Sequence, residues 1–307
     1  MALLPNKFKQ ILVFSIKILI VGGAFYFIYN ELVNNDKLDW NKFLKVFNKN
    51  QSFFGIAFIL YLSFQNRFLE ILKWQNLVSS FKIISVGTAT KQVLAALTAG
   101  IFTPNGIGEY AGKALYFDKI FTKKIIFLNL LCNGIQLILS VGFGAIGLFY
   151  LGYRKWVLGI LLVGLTIILI LYFLKSFAVK GFSLNDLLQK TNEIPKKIHQ
   201  KNILLGVARY LTFSHQYYFL FLGFDVNLPY FTLMAMIAAV YFLASSLPSF
   251  QFLDFAVKGS MAVYFFNILG VNQWIVVFVT ALMWFLNVVV PVFIGSFYVL
   301  NFKIEKK

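Results

Sequence analysis

Long apolar runs separated by short polar segments are the dominant pattern of the chain. A membrane-spanning helix needs about 20 consecutive apolar residues, and eight runs approach or exceed that length. Backbone groups have no water partner inside a bilayer, so such runs are predicted to be helical. The pattern predicts an all-α fold: a polytopic membrane helix bundle of about eight spans, forming a single integral membrane domain over residues 1–307. The predicted spans are residues 11–29, 53–72, 86–103, 125–151, 157–174, 203–222, 231–247 and 274–300.

Composition and charge agree with a bilayer as the solvent and indicate an anionic surface as partner. Apolar residues make up 60% of the 307 and charged residues only 13%, against about 25% in a typical soluble domain. Lysine and arginine total 28 against 11 acidic residues, and these cations lie in the short segments between apolar runs. That distribution is typical of loops that contact acidic headgroups rather than of a nucleic-acid-binding surface. We expect anionic phospholipid or a lipid-linked substrate as partner, a membrane location and no nucleic acid.

The placement of the lysines also predicts the orientation. Lys7 and Lys9 precede the first span, which we interpret as an uncleaved helix rather than a secretory signal because it is long enough to cross and further spans follow. With both termini cytoplasmic, most basic loops face one side, which predicts a multi-pass protein of the cell membrane, of the bacterial inner-membrane type. The segment 31–51 is an exception, since its four lysines would face outside. The longest polar connection, 175–201, fits either an amphipathic helix or a solvated loop.

Residues that build metal, disulfide or nucleotide sites are scarce. Cys132 is the only cysteine and lies in an apolar run, which excludes a disulfide within the chain and a thiolate metal site. His199 and His215 are the only histidines, and no HExxH, paired CxxC, GxGxxG or Walker-type loop is present. We therefore predict no metal, no cofactor and no catalytic residue.

The third predicted span is interrupted by a turn and resumes as a short helix. Pro104 is followed by Gly106 and Gly108, and the chain then continues through Glu109 to Lys113. Proline lacks an amide hydrogen and disfavours helix in the residue before it, while the glycines permit a tight turn. A new helix is therefore predicted to begin near Glu109.

The seventh predicted span repeats this arrangement. Pro248 is followed by Asp254 and Lys258, and the acid lies 145 positions after Glu109 (254 − 109 = 145). The same offset relates other spans, so the chain is predicted to contain two repeats, residues 1–151 and 152–307. A re-entrant segment in each four-span half makes the number of crossings odd, which orients the halves oppositely. Inverted repeats with broken helices meeting near the midplane are typical of membrane transporters.

Charged residues inside the predicted spans are the candidate binding residues. An Asp, Lys or Arg at the bilayer centre costs about 2.5–3.5 kcal/mol, so such residues need partners or a wet cavity. Each acid of the two broken spans is followed by a lysine at i+4 and stands near the positive end of its helix. This fits a structural cap and fits equally an anion site at the start of a half-helix. The candidate substrate-binding residues are Arg67, Glu109, Lys113, Arg209, Asp254 and Lys258.

Two further groups of residues carry structural predictions. Glu70, Lys73 and Trp74 follow Arg67 at helical spacing, which fits an interfacial anchor or a headgroup access site. Glycines let neighbouring helices approach closely, so three glycines of the fourth span are predicted to be packing residues. They are Gly142, Gly144 and Gly147.

The two broken-span motifs also carry a family resemblance. The motif at 104–113, with Arg67 upstream and the motif at 248–258 downstream, resembles the lysylphosphatidylglycerol synthase transmembrane-region family over nearly the whole chain. The resemblance implies a flippase-like domain that moves aminoacylated phospholipid between leaflets. The second motif departs from the family pattern at 250–254. The family's synthases also bear a soluble aminoacyl-transferase domain, which the seven residues after Leu300 cannot form, so lysyl transfer is not expected. The matching positions are Arg67, Pro104, Gly108 and Glu109.

The sequence thus predicts a translocase of phospholipid or of a lipid-linked substrate, with a charged site near the bilayer midplane. Two alternatives stay open at this point. One is an enzyme or accessory subunit acting on lipid-linked sugars, a role also attached to relatives of this family. The other is a structural scaffold in which the charged pairs only cap helices.

Overall fold

The computed structural model describes residue 44 and residues 52–101, 103, 106–175, 183–247 and 254–302. Within these ranges the chain is helical and contains no strand, which confirms the all-α prediction for them. The predicted first span at 11–29, the turn residues Pro104 and Pro248, and the side chain of Asp254 lie outside the described part of the chain.

Ten helices follow one another over the described residues. Ser52 and Ser85 cap the first two, each hydroxyl accepting a hydrogen bond from the amide three residues on. A 3₁₀ turn, Lys119–Phe121, precedes α4, and α10 contains a π segment, Phe285–Val289. The helices are α1 Phe53–Val78, α2 Val86–Gly100, α3 Ile107–Ala114, α4 Thr122–Tyr150, α5 Arg154–Phe173, α6 Leu184–Asn192, α7 Lys196–Gly223, α8 Tyr230–Ser246, α9 Asp254–Ile268 and α10 Gln273–Leu300.

Three of these helices are long and apolar enough to cross a membrane: α4 with the turn before it, α5 and α10. This is compatible with a membrane protein. Helices α1 and α7, with 26 and 28 residues, are each about 40 Å long at 1.5 Å per residue, but polar residues buried along them lower their mean hydropathy. Helix α8 is apolar and shorter. The count of eight spans and the inverted repeat stay predictions.

The break predicted in the third span is present. Helix α2 ends at Gly100 and α3 begins at Ile107, directly after Gly106, whose φ of 67° lies in the left-handed region that glycine adopts without strain. The Thr103 hydroxyl accepts a hydrogen bond from the Gly108 amide at 2.8 Å and so caps the new helix. A Cβ on Gly108 would lie 2.3 Å from the carbonyl oxygen of Ala99, so α3 folds back tightly against α2. In the second half, α9 begins at Asp254.

Helix pairing follows a regular scheme. Helix α1 packs along α7, α4 packs along α8, and α2 packs against the C-terminal part of α10. Two glycines of α4 allow the second contact, because a Cβ on Gly144 would lie 2.2 Å from Phe242 Cβ and one on Gly147 would lie 2.7 Å from the Ala235 carbonyl oxygen. The packing prediction is confirmed for these two. For Gly142 it is wrong within the described part of the chain, where its Cβ would have no neighbour within 4 Å.

The polar connection at 175–201 contains a short helix, α6. Ser183 and Asp186 form a capping box in which each side chain accepts a hydrogen bond from the backbone amide of the other residue. Hydrogen bonds from the hydroxyl and from the backbone amide of Ser183 lower the pKa of Asp186 below its ordinary value. The ionised Asp186 carboxylate therefore stabilises the fold at pH values above the ordinary carboxyl pKa. This stabilisation is lost as the pH falls through the lowered pKa. Leu187 packs against the core at the end of α1, so α6 is attached to the bundle.

Candidate functional site

The C-terminal half of α1 carries a polar stripe at helical spacing that faces α7 and α10. The carboxylate of Glu70 forms the centre of this stripe. It accepts a hydrogen bond from Arg67 on the same helix and forms an ion pair with Arg209 of α7, whose Nη2 lies at 3.2 Å. The side chain of Glu70 is only 8% exposed. One buried carboxylate thus joins two arginines that lie far apart in the sequence.

A chain of amides extends this centre to a third helix. Arg209 Nε donates to Asn66 Oδ1 at 3.1 Å, and Asn66 Nδ2 donates to Asn287 Oδ1 at 2.6 Å. Asn287 Nδ2 in turn donates to Gln216 Oε1 at 3.0 Å. Helices α1, α7 and α10 are therefore held together by directional contacts in addition to apolar packing.

The π segment of α10 supplies backbone acceptors to the same centre. Pro291 has no amide hydrogen and so cannot donate a hydrogen bond within the helix. An α register would have used the carbonyl at 287 as acceptor, and a π register the carbonyl at 286. Side chains of α1 replace this donor: Arg67 donates to the carbonyl of Asn287, and the Ser63 hydroxyl donates to that of Leu286 at 2.9 Å. The proline thus creates the acceptor that Arg67 uses.

Two lysines are fully buried beside this centre. Lys73 Nζ donates to the Cys132 carbonyl at 2.9 Å, and Lys113 Nζ donates to Asn129 Oδ1 at 2.6 Å. The exposed fractions of these lysines are 0% and 1%. Lys113 also lies 4.7 Å from the centre of the Trp74 ring, a cation–π contact. Lys113 therefore takes an amide of α4 as its hydrogen-bond partner, where the i,i+4 spacing predicted Glu109.

We define the charged cluster as Arg67, Glu70, Lys73, Glu109, Lys113 and Arg209. Glu109 is buried on α3, and its charge acts on Arg67. The charges of Lys73 and Lys113 act on Glu70. Among the described residues the cluster holds four cations and two carboxylates, an excess of two positive charges (4 − 2 = 2). Two buried donors at its edge, Arg67 Nε and Asn129 Nδ2, have no acceptor in the described part of the chain. Such an arrangement is suited to an anion with several oxygens.

The structure brings together four of the six predicted binding residues. Arg67 and Arg209 share one carboxylate, and Glu109 and Lys113 lie within electrostatic reach of that pair. Lys258 has a different environment, 5.3 Å over the ring of Tyr241 on α8. The side chain of Asp254 lies outside the described atoms.

Sequence reasoning underestimated α1 and missed the asparagines. Glu70, Lys73 and Trp74 are buried. As whole residues they are 6%, 0% and 0% exposed, which contradicts the interfacial-anchor alternative. The asparagines at 66, 129 and 287 were not predicted, although each interrupts an apolar run. A proline four residues after an intramembrane asparagine is the sequence signal that marks a free carbonyl acceptor.

Compared with known families and curated proteins, this chain matches no family model and no curated protein. Over the described residues, the fold and the site by themselves define an all-helical structure with three helices compatible with a membrane location and a charged cluster in its interior.

Proposed function

We propose that the protein is a multi-pass membrane protein that binds the anionic headgroup of a phospholipid or lipid-linked substrate at the charged cluster and moves it between leaflets. The observation that carries this proposal is the excess of two positive charges in the charged cluster as the described residues form it, in which Lys73 and Lys113 are buried and the side chains of Arg67 and Arg209 are 12% and 19% exposed. Burying a cation without a counter-charge costs several kcal/mol. A phosphate would supply both a counter-charge and the acceptors that Arg67 Nε and Asn129 Nδ2 lack among the described residues.

The arginines suit this role better than lysines alone. A guanidinium presents several N–H donors in one plane and binds phosphate through two oxygens at once. Arg67 and Arg209 are held by Glu70 and by carbonyl and amide oxygens on α1 and α10, so their planes are fixed before a ligand binds. Preorganised donors lower the ordering cost of binding.

The pairing of helices supports the proposed two-repeat origin. With 1–151 and 152–307 as repeats, α1 corresponds to α7, α2 to α8, α3 to α9 and α4 to α10. Helices α1 and α7 pack on each other, and the contact of α4 with α8 has its counterpart in that of α10 with α2. A two-fold axis between the halves requires this, because it would carry α4 onto α10 and α8 onto α2. In transporters this architecture places a substrate site between the repeats, where α1 and α7 meet here.

The resemblance to the lysylphosphatidylglycerol synthase transmembrane region points the same way. Arg67, Gly108 and Glu109 are among its matching positions, and two of them belong to the charged cluster. We propose a location in the cell membrane with both termini in the cytoplasm, on the distribution of lysines in the sequence.

Lys113→Met separates a binding role of this lysine from a structural one. Replacing this buried lysine by an apolar side chain of similar length removes the cost of burying its charge and also its hydrogen bond to Asn129, two effects of opposite sign, so the melting temperature should change little. Loss of one phosphate contact should weaken lipid binding by about tenfold, which corresponds to 1.4 kcal/mol. The measurement is translocation of fluorescent phosphatidylglycerol in vesicles by dithionite quenching, paired with thermal unfolding.

Lys155→Met, at the exposed start of α5, is the matched control and should leave both quantities unchanged. Wild-type protein that moves no labelled phosphatidylglycerol or polyprenyl phosphate, or a Lys113→Met variant with full translocation, would count against the proposal. Mass spectrometry of the vesicle lipids should show them chemically unchanged; an altered lipid would instead indicate an enzyme.

A further inference from the structure

A second candidate site lies on the side of α3 that faces away from the charged cluster. At 100° per residue, Glu109, Gly112 and Lys113 occupy one face of α3 and are buried, whereas the opposite face lines a cavity of about 1480 Å³. The end of α10 and the start of α4 form the other wall. The lining residues of α3 and of the position directly after it are Ile107, Tyr110, Ala111, Ala114 and Leu115.

Three lysines line this cavity. Lys82, Lys91 and Lys119 line it together with a single acid, Asp118, which leaves an excess of two positive charges among the lining residues (3 − 1 = 2). Lys82 and Lys119 lie in the connections that follow α1 and precede α4, where helix ends meet an interface. We call this cavity the lysine groove.

The α3 side of the lysine groove is mostly apolar and has about the length of one leaflet. Ile107 and Leu115, at the two ends of the α3 face, are 62% and 61% exposed. The eight residues of α3 extend about 12 Å, close to half of the roughly 30 Å hydrocarbon thickness. Lysines in the same cavity as the apolar face of α3 complement an amphiphile with an anionic head.

We infer that the lysine groove binds an anionic phospholipid, with the phosphate at the three lysines and one acyl chain along α3. This deepens the proposed function, on whose membrane location it rests, by assigning a lipid site separate from the charged cluster and divided from it by a single helix. A soluble phosphate compound would pair with the lysines but would leave the apolar face of α3 exposed, without the gain from burying it.

Photocrosslinking in nanodiscs tests this assignment. The probes are phosphatidylglycerol and phosphatidylcholine that each carry a photoreactive group at mid-chain, and labelled peptides are mapped by mass spectrometry. Labelling of 107–116 by phosphatidylglycerol should exceed that by phosphatidylcholine by about tenfold, because basic residues at a membrane surface attract anionic headgroups. The triple variant Lys82→Gln, Lys91→Gln and Lys119→Gln should reduce it to the phosphatidylcholine level.

The matched control removes the same charge elsewhere. Lys196, Lys197 and Lys201 lie exposed at the start of α7, and their triple replacement by Gln should leave the labelling unchanged. Equal labelling by the two lipids, or an equal loss in both triple variants, would overturn the lysine groove as a specific site. Competition by millimolar inorganic phosphate that abolishes the labelling would show a soluble phosphate ligand and would also overturn it.

Failure of this inference and failure of the proposed function give different results. Translocation without preferential labelling of 107–116 removes the lysine groove alone. Preferential labelling in a protein that translocates nothing keeps the lysine groove and removes the translocase.

Discussion

Glu70→Gln should lower the free energy of unfolding by about 3–5 kcal/mol, the range for a buried ion pair that loses one partner. Glutamine keeps the size of the side chain but removes the charge that compensates Arg67 and Arg209. Lys73 and Lys113 lie near enough for their charges to act on the same carboxylate, so four cations would then face Glu109 alone among the acids of the cluster. Thermal unfolding in mild detergent measures the effect.

Two further variants define what the loss means. Glu193→Gln, at the exposed end of α6, removes the same charge and should change stability by less than about 0.5 kcal/mol. Glu70→Gln combined with Arg209→Gln removes one carboxylate and one cation, so its loss should be smaller than the sum of the two single losses. Additive losses would show that Glu70 and Arg209 do not act on each other.

Gly147→Ala should destabilise the bundle by about 1–3 kcal/mol through overpacking. Its new methyl group would lie 2.7 Å from the Ala235 carbonyl oxygen and 3.2 Å from the Cα, both backbone atoms of α8 that cannot turn aside. The contact of α4 with α8 would have to open. Equilibrium unfolding and the fraction of monodisperse protein after purification are the measurements.

Gly142→Ala is the control on the same helix, and its expected effect has the opposite sign. Its Cβ would meet nothing within 4 Å, and alanine is favoured over glycine in a helix interior by about 0.5–1 kcal/mol. The variant should therefore be as stable as the wild type or more stable. Destabilisation of equal size at both positions would contradict the contact between α4 and α8.

Local features of this fold are predictable from the sequence because they depend on neighbouring residues. Apolar run lengths locate most helices, and the turn residues around Gly106 predict where α3 begins. The long-range partners are different. The Arg67 and Arg209 guanidinium groups converge on Glu70 only because α1 packs along α7, and no spacing rule states which helices are neighbours.

Lys113 illustrates the same limit within one helix. Its i,i+4 relation to Glu109 is a valid helical contact, yet Asn129 of α4 provides the hydrogen bond. The depth of a residue is likewise a property of the assembled bundle. Glu70 and Lys73 lie at the end of an apolar run, a position that fits a membrane surface, but packing of α2, α4 and α7 around them encloses both.

The π segment of α10 has a consequence for motion. Its carbonyls at 286 and 287 are held from outside by Ser63 and Arg67 of α1, because Pro291 cannot bind them from within. Flexing of α10 at this point and the orientation of the Arg67 guanidinium are therefore thermodynamically linked, and the linkage is reciprocal. If a ligand drew the Arg67 guanidinium away, the Asn287 carbonyl would lose its donor from α1, and a change in α10 that displaced this carbonyl would alter the affinity of the arginine for that ligand by the same factor.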